Sequence, residues 1–224
     1  MASIPASLRA PLMRDDVYDR LRDEILSCTL QPGAPIHEQE LAQRFEVSKS
    51  PIRDALLRLQ EQNLVEVLPR KGYRVRPISL TDAVEMYEMR ALYERECALR
   101  VIDNASEETL ASLDEFRKMP RGLDLPKWIA YNRRFHLAVA AICGNSRLAR
   151  AASDIIEQFD RLTLVSLRGA EAPLRLETFV DEHGTIIDAL QARDKRAVGA
   201  LVREHVDASR KRTLAMLANP VIVP

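Results

Sequence analysis

Between Pro32 and Gly72 the chain encodes a short helix, a tight turn, a second helix and a β-hairpin in immediate succession, an order that leaves few folds open. Pro32-Gly33 marks a turn. Leu41, Ala42 and Phe45 recur at helical spacing, which predicts a helix over about Glu38 to Phe45. Ser48 is placed to cap the next helix, and Pro51 falls in its first turn, where a missing N–H costs little. That helix is predicted to reach about Gln62, with Ile52, Ala55, Leu56 and Leu59 facing inward and Asn63 closing it in a left-handed cap. Leu64-Val65-Glu66-Val67 and Tyr73-Arg74-Val75 flank Pro69-Arg70-Lys71-Gly72, the pattern of a two-stranded hairpin. A helix from about Arg14 to Cys28 precedes all this, with Val17, Leu21, Ile25 and Cys28 on one face. Three helices and a two-stranded β-wing make a winged helix-turn-helix.

Such a helix fits the major groove of double-stranded DNA, and its N-terminal residues reach base edges. Lys49, Ser50 and Arg53 stand at that end. Arg53 can donate a bidentate fork to guanine, and Lys49 can serve a base or a phosphate. Ser48, Ser50 and the helix amides suit a phosphate oxygen. In the wing, Arg70 and Lys71 fall at the turn tip, where Gly72 permits close backbone approach. The alternative is a merely solvated helix face. Charge favours DNA: Arg44 to Arg76 holds eight basic and four acidic residues, net +4, in a chain whose 33 basic and 33 acidic residues cancel. A basic module is joined to a mildly acidic remainder, which excludes a nonspecific polycation.

From Ser79 onward helical periodicity dominates, with helices predicted near 80–103, 107–118, 126–143, 146–168, 172–192 and 194–217. Ser79 and Asp82 resemble a capping box. Short breaks between such helices predict an antiparallel all-α bundle. The organisation read this way is a flexible arm at 1–13, a winged helix at 14–76, a linker at 77–79, the bundle at 80–217 and a tail at 218–224. Cys28, Cys97 and Cys143 are odd in number and show no metal-ribbon spacing, so buried free thiols in a reducing compartment are expected. Arg9 and Arg14 interrupt the apolar core a signal peptide needs, and no apolar run approaches bilayer length. A cytoplasmic protein without membrane contact is expected.

Three of the four histidines fall on predicted apolar faces: His136 with Ile129, Asn132, Val139 and Cys143; His183 with Ile186, Ile187 and Leu190; His205 with Val198, Leu201 and Val202. Each alone reads as a hydrogen-bonded core residue. Together they can converge on one divalent cation inside a bundle, with Asn132 projecting beside His136 at i and i+4. Arg90 lies among Val84, Tyr87 and Ala91, either paired with Glu94 one turn on or free to clamp a carboxylate.

Val17-Tyr18-Asp19-Arg20-Leu21-Arg22-Asp23-Glu24-Ile25-Leu26, Leu30-Gln31-Pro32-Gly33, Glu38-Gln39-Glu40-Leu41-Ala42 and Val47-Ser48-Lys49-Ser50-Pro51-Ile52-Arg53-Asp54-Ala55-Leu56 resemble the GntR family of bacterial transcription regulators. The family often has Arg at the positions of Gln39 and Lys49, which places Gln39 among the DNA-binding residues with a neutral side chain. Residues 80–217 resemble the FCD effector-binding domain of the FadR-type subfamily. The matching residues are Glu88-Met89-Arg90 with Glu94, Asn132-Arg133-Arg134-Phe135-His136, Gly144-Asn145, Glu182-His183 and His205. The resemblance implies a zinc, nickel or manganese ion at Asn132, His136, His183 and His205, and an effector pocket at Arg90. The first of these positions is commonly Asp, a better ligand than Asn.

The expectation is a homodimeric one-component regulator, not an enzyme. It would bind a palindromic operator and act as a repressor relieved by a small organic acid. A three-histidine hydrolase and a DNA-binding scaffold whose bundle only dimerises are the rival readings. The hydrolase lacks a clear general base beside the histidines.

Overall fold

The computed structural model describes residues 6–119, 124–168 and 176–217. The chain divides into two compact units, Met1–Ile78 and Ser79–Pro224.

In the first unit, helices α1 (Ala6–Leu26), α2 (Glu38–Arg44) and α3 (Lys49–Glu61) enclose a core with strands β1 (Pro35–Ile36), β2 (Val65–Leu68) and β3 (Gly72–Val75). The periodic residues do what their spacing predicts: Leu21, Ile25, Ile52, Leu56 and Leu59 are fully buried in one cluster with Leu64 and Val75. Tyr18 adds a hydrogen bond from its hydroxyl to Gln62 Oε1, 2.8 Å, tying α1 to the end of α3.

Both helices of the helix-turn-helix end in the same backbone motif. Phe45 caps α2, Glu46 takes φ +55°, and Val47 N–H donates to Ala42 O. Gln62 caps α3, Asn63 takes φ +59°, and Leu64 N–H donates to Leu59 O. A left-handed residue thus reverses the chain while the last carbonyls are satisfied. The wing turns through Leu68–Lys71, with Pro69 second, Arg70 at φ +65° third, and Lys71 N–H donating to Leu68 O. Pro then positive φ is the type II pattern. Gly72 follows at φ +90°, where a Cβ would stand 3.3 Å from Ile36 O.

Four local expectations change. Helix α1 begins at Ala6, so residues 6–13 of the expected arm are helical, while 1–5 lie outside the described residues. The helix stops at Leu26, and Cys28 is left-handed at φ +53°. The wing sheet has a third strand: β1 pairs antiparallel with β3, giving the order β1-β3-β2. Ser48 holds the N-cap position of α3 in extended conformation, but its side chain makes no capping hydrogen bond.

The second unit is all helical: α4 (Leu80–Asn104), α5 (Glu107–Ser112) running into a 3-10 turn (Leu113–Phe116), α6 (Leu125–Ala141), α7 (Ser146–Arg168), α8 (Leu176–Gln191) and α9 (Lys195–Leu217). The single helix expected over 107–118 is therefore a short helix and a tighter turn. Of the break expected over Pro120 to Pro126, residues 120–123 lie outside the described residues, as do the break expected at Gly169, the start expected for α8 at 172, and the tail 218–224. Ser79 Oγ accepts from Asp82 N–H at 3.0 Å, and Asp124 Oδ1 accepts from Lys127 N–H at 3.0 Å, with Pro126 in the first turn of α6.

Helix α4 packs against α9, α7, α6 and α8. Its buried stripe is Ala83, Tyr87, Arg90, Glu94, Cys97, Ala98 and Val101. Apolar spacing therefore carries two charged residues into the bundle interior. Among the described residues no helix is long and apolar enough to cross a membrane.

Candidate functional site

Two groups of residues carry the chemistry, one in each unit. In the winged helix, Gln39, Ser48, Lys49, Ser50, Arg53, Arg70, Lys71 and Gly72 are all exposed. Basic residues of the module fall into two classes. Arg44 pairs with Glu24 at 2.6 Å, Arg53 with Glu38 at 2.7 Å, Arg58 with Asp15 at 2.9 Å, and Arg74 with Glu66. Lys49, Arg70 and Lys71 make no ion pair among the described residues. The unneutralised charge thus sits at the start of α3 and at the wing tip, the places from which a helix and a wing approach a phosphate backbone.

In the bundle, His136 on α6, His183 on α8 and His205 on α9 converge, with ligand atoms all within 4.8 Å of one another. Their ring centroids are 5.0–5.2 Å apart. All three side chains are buried. His136 Nδ1 lies 2.8 Å from Glu94 Oε2, and His205 Nδ1 lies 2.6 Å from Glu182 Oε2. An ionised carboxylate only accepts, so each Nδ1 carries a proton. Carboxylates that orient imidazoles in this way are the usual companions of metal-ligating histidines.

Arg90 is buried and donates through Nε to Glu94 Oε1. Its Nη2 lies 3.0 Å from His136 Nε2, where it can only donate. The ion pair read from the i, i+4 spacing is present, and the same guanidinium reaches a histidine. Burial alone would raise the Glu94 pKa, but Arg90 and His136 hold it well below the carboxylate range. Burial lowers His136 to about 4 despite the pull of Glu94, and burial with two neighbouring imidazoles pushes His183 far below its ordinary value. Burial would raise Glu182 as well, and His205 and Arg212 turn it downward. His136 and His183 are therefore neutral near pH 7 and able to ligate.

His183 supplies the fit test for a metal. It is 1% exposed, stacks on Phe135 with centroids 4.0 Å apart, and neither ring nitrogen has a hydrogen-bond partner among the described residues. An unsatisfied buried polar atom costs roughly 1–3 kcal/mol. A divalent cation bound by the ring nitrogens of the three imidazoles relieves that cost, and imidazole suits zinc or nickel. Three nitrogens leave positions for water or a carboxylate oxygen.

Asn132, the fourth expected ligand, lines the adjoining cavity with Arg90, Trp128, Thr163, His205 and Arg212. Periodicity did not single out Trp128 or Arg212. A signal for Arg212 was available: His205, Ser209 and Arg212 fall at i, i+4 and i+7 on one helix face.

A winged helix with open cations at its reading end, in one chain with an all-α unit built around buried histidines, defines a DNA-binding regulator. The chain belongs to the GntR family: residues 13–75 match the bacterial regulatory proteins, gntR family, and residues 85–208 match the FCD domain. It is similar to the HTH-type transcriptional regulator BphR of Paraburkholderia xenovorans (strain LB400), 30% identical over 206 residues, 86% of this chain and 81% of that protein. It is also similar to the HTH-type transcriptional repressor GlaR of Escherichia coli (strain K12), 27% identical over 205 residues, 85% of this chain and 91% of that protein. The solved structure of E. coli McbR/YncC shares its fold, with a TM-score of 0.76 at 21% identity over 98% of this chain and 100% of that one. The chain is a DNA-binding transcription regulator and not an enzyme.

Proposed function

We propose that this regulator is a FadR-type repressor whose operator binding is relieved by a small organic acid held beside a divalent metal ion in the bundle. The observation that carries the reading is the convergence of His136, His183 and His205 from three helices, with His183 unsatisfied among the described residues. These residues and Asn132 would hold the ion, which would supply a Lewis-acidic point for a carboxylate oxygen. His136 Nε2 serves one partner at a time. With its lone pair on a metal, it would leave Arg90 Nη2 free to donate to a carboxylate.

On the DNA side, Lys49 and Arg53 would read base edges. Ser48, Ser50 and Gln39 would meet phosphates or neighbouring bases, and Arg70, Lys71 and Gly72 would follow the backbone from the wing. A homodimer would set two recognition helices on the half-sites of a palindromic operator, within the cytoplasm. The effector acts only by binding one arrangement of the dimer better than the other.

The test is metal analysis of purified wild type and of His136→Ala/His183→Ala, followed by a thermal-shift screen of carboxylic acids and operator titration with each hit. Wild type is expected to carry near-stoichiometric zinc, nickel or manganese that the double variant lacks, and a stabilising acid is expected to weaken operator binding. Equal metal content in both proteins, or no acid that moves operator affinity, overturns the reading.

A further inference from the structure

The cavity beside the histidines holds a second set of unsatisfied donors. Trp128 on α6 is 2% exposed and lines the cavity, and its indole Nε1–H is buried without an acceptor among the described residues. Arg212 on α9 lines the same cavity, and its Nη2 is likewise buried without a partner. The Arg212 guanidinium carbon lies 4.3 Å from the Phe179 ring centroid, and that ring packs on Trp128 at 5.1 Å. A flat aromatic face thus holds the fork while one end projects without a partner. Its other end makes a 3.4 Å contact with Glu182, whose second oxygen is taken by His205.

Indole N–H and guanidinium can only donate, so the group that satisfies both must accept. Beside a guanidinium whose Nη2 is buried, the acceptor that repays its own desolvation is an anionic oxygen. The surrounding hydroxyls do not fill the role: Tyr87 engages Ser209 and Thr213 at 3.0 and 2.8 Å, and Ser166 donates to Thr163 O at 3.0 Å. The free volume is about 30 Å³, room for about two water-sized groups, the size of a carboxylate's oxygen pair. Arg212 is 37% exposed along its side chain, so it can move aside to admit the rest of a ligand. Arg90 belongs to a different helix and a different aromatic face, with its guanidinium carbon 4.8 Å from the Phe159 centroid.

We propose that Arg212 and Trp128 form a second anion subsite, so that the effector is a dianion, a dicarboxylate with one end toward Arg90 and the histidines and the other on this pair. The inference rests on the effector reading above. A monocarboxylate leaves one of the two donor sets unsatisfied.

Isothermal titration of the full-length, metal-loaded protein tests it, with acetate and propionate as single-ended probes and the unbranched dicarboxylates from malonate to adipate as double-ended ones. Wild type is expected to bind at least one dicarboxylate about ten-fold or more tighter than either monocarboxylate. Trp128→Phe keeps an aromatic ring at the site and removes the pyrrole half with its N–H. This variant and Arg212→Gln are each expected to lose about ten-fold on the preferred dicarboxylate while keeping wild-type metal content, which reports a folded bundle. No dicarboxylate preference in wild type, or one that both variants retain, overturns the subsite and leaves the single-carboxylate reading standing. Absence of binding by every probe overturns both.

Discussion

Arg53 on the recognition helix donates from Nε to Glu38 Oε2 at 2.7 Å, joining it to the first residue of the preceding helix. Both partners are at least partly exposed, so the pair adds little to stability, about 0–1 kcal/mol. Its effect is orientation: with Nε engaged, the two terminal nitrogens remain as a fork. Lys49, one turn earlier, is left without such a guide. A neutral partner at 38 keeps less hold on the fork.

Arg53→Ala is accordingly expected to weaken specific operator binding by about 1–3 kcal/mol, roughly five- to 150-fold, with a smaller effect on random DNA at the same salt. Glu38→Gln is expected to bind random DNA somewhat more tightly and to discriminate less between the operator and a mutated site. Fluorescence anisotropy on the three duplexes decides both, and an operator-to-random ratio unchanged by Arg53→Ala refutes the base-reading role.

Glu46 reverses the chain between α2 and α3 at φ +55°, a conformation that strains any residue with a Cβ. Glu46→Gly is expected to stabilise the winged helix by up to about 1 kcal/mol, because relief of strain exceeds glycine's extra entropy in the unfolded chain. Urea unfolding followed by amide exchange in the α3 core measures it. A lower midpoint counts against the strain.

Gly144 joins α6 to α7 at φ +73°, and a Cβ there would lie 2.7 Å from Asn104 Cγ. Asn104 Nδ2 also donates to Arg100 O and Cys143 O, so it cannot yield without losing both bonds. Gly144→Ala is expected to destabilise the bundle by about 1–3 kcal/mol, whereas exposed Arg150→Ala changes it by less than about 0.5 kcal/mol. Thermal melts of the two variants side by side give the comparison.

His183 is expected to behave differently with and without metal. Chelator treatment should lower the melting temperature of wild type, since an ion that binds only the folded state stabilises it by mass action. His183→Phe removes two unsatisfied nitrogens while keeping a ring on Phe135, so its melting temperature should not respond to chelator. A chelator response equal to that of wild type would exclude His183 as a ligand.

The proposed homodimer needs apolar surface on the bundle. Leu92 is 66% exposed on α4, and Met89 stands three residues earlier on the same side. Leu92→Glu is expected to shift sedimentation from dimer toward the 25.4 kDa monomer and to weaken operator binding with it. A dimer of unchanged strength places the interface elsewhere.

Much of the fold was legible because its signals are local. The faces of α1 and α3 follow from apolar spacing, and Asn63 stands where the backbone goes left-handed. Strand β1 was not legible, since two residues carry no period and form a strand only by pairing with β3. Ser48 has the right residue type for a cap, and its side chain makes no capping bond. The histidines were legible as inward-facing, yet the proton positions on His136 and His205 depend on Glu94 and Glu182, which reach them from other helices.

By itself the sequence determined the two-part architecture, the reading helix with its wing, and three histidines on apolar helix faces. Tertiary structure decided which polar groups find partners. Glu38 takes Arg53, Glu94 takes Arg90 and His136 together, and Trp128, Arg212 and His183 keep donors or acceptors unmet among the described residues. The reason is physical: helical and strand periods are set by the local backbone, whereas the cost of burying a polar group depends on neighbours that only long-range packing brings within reach.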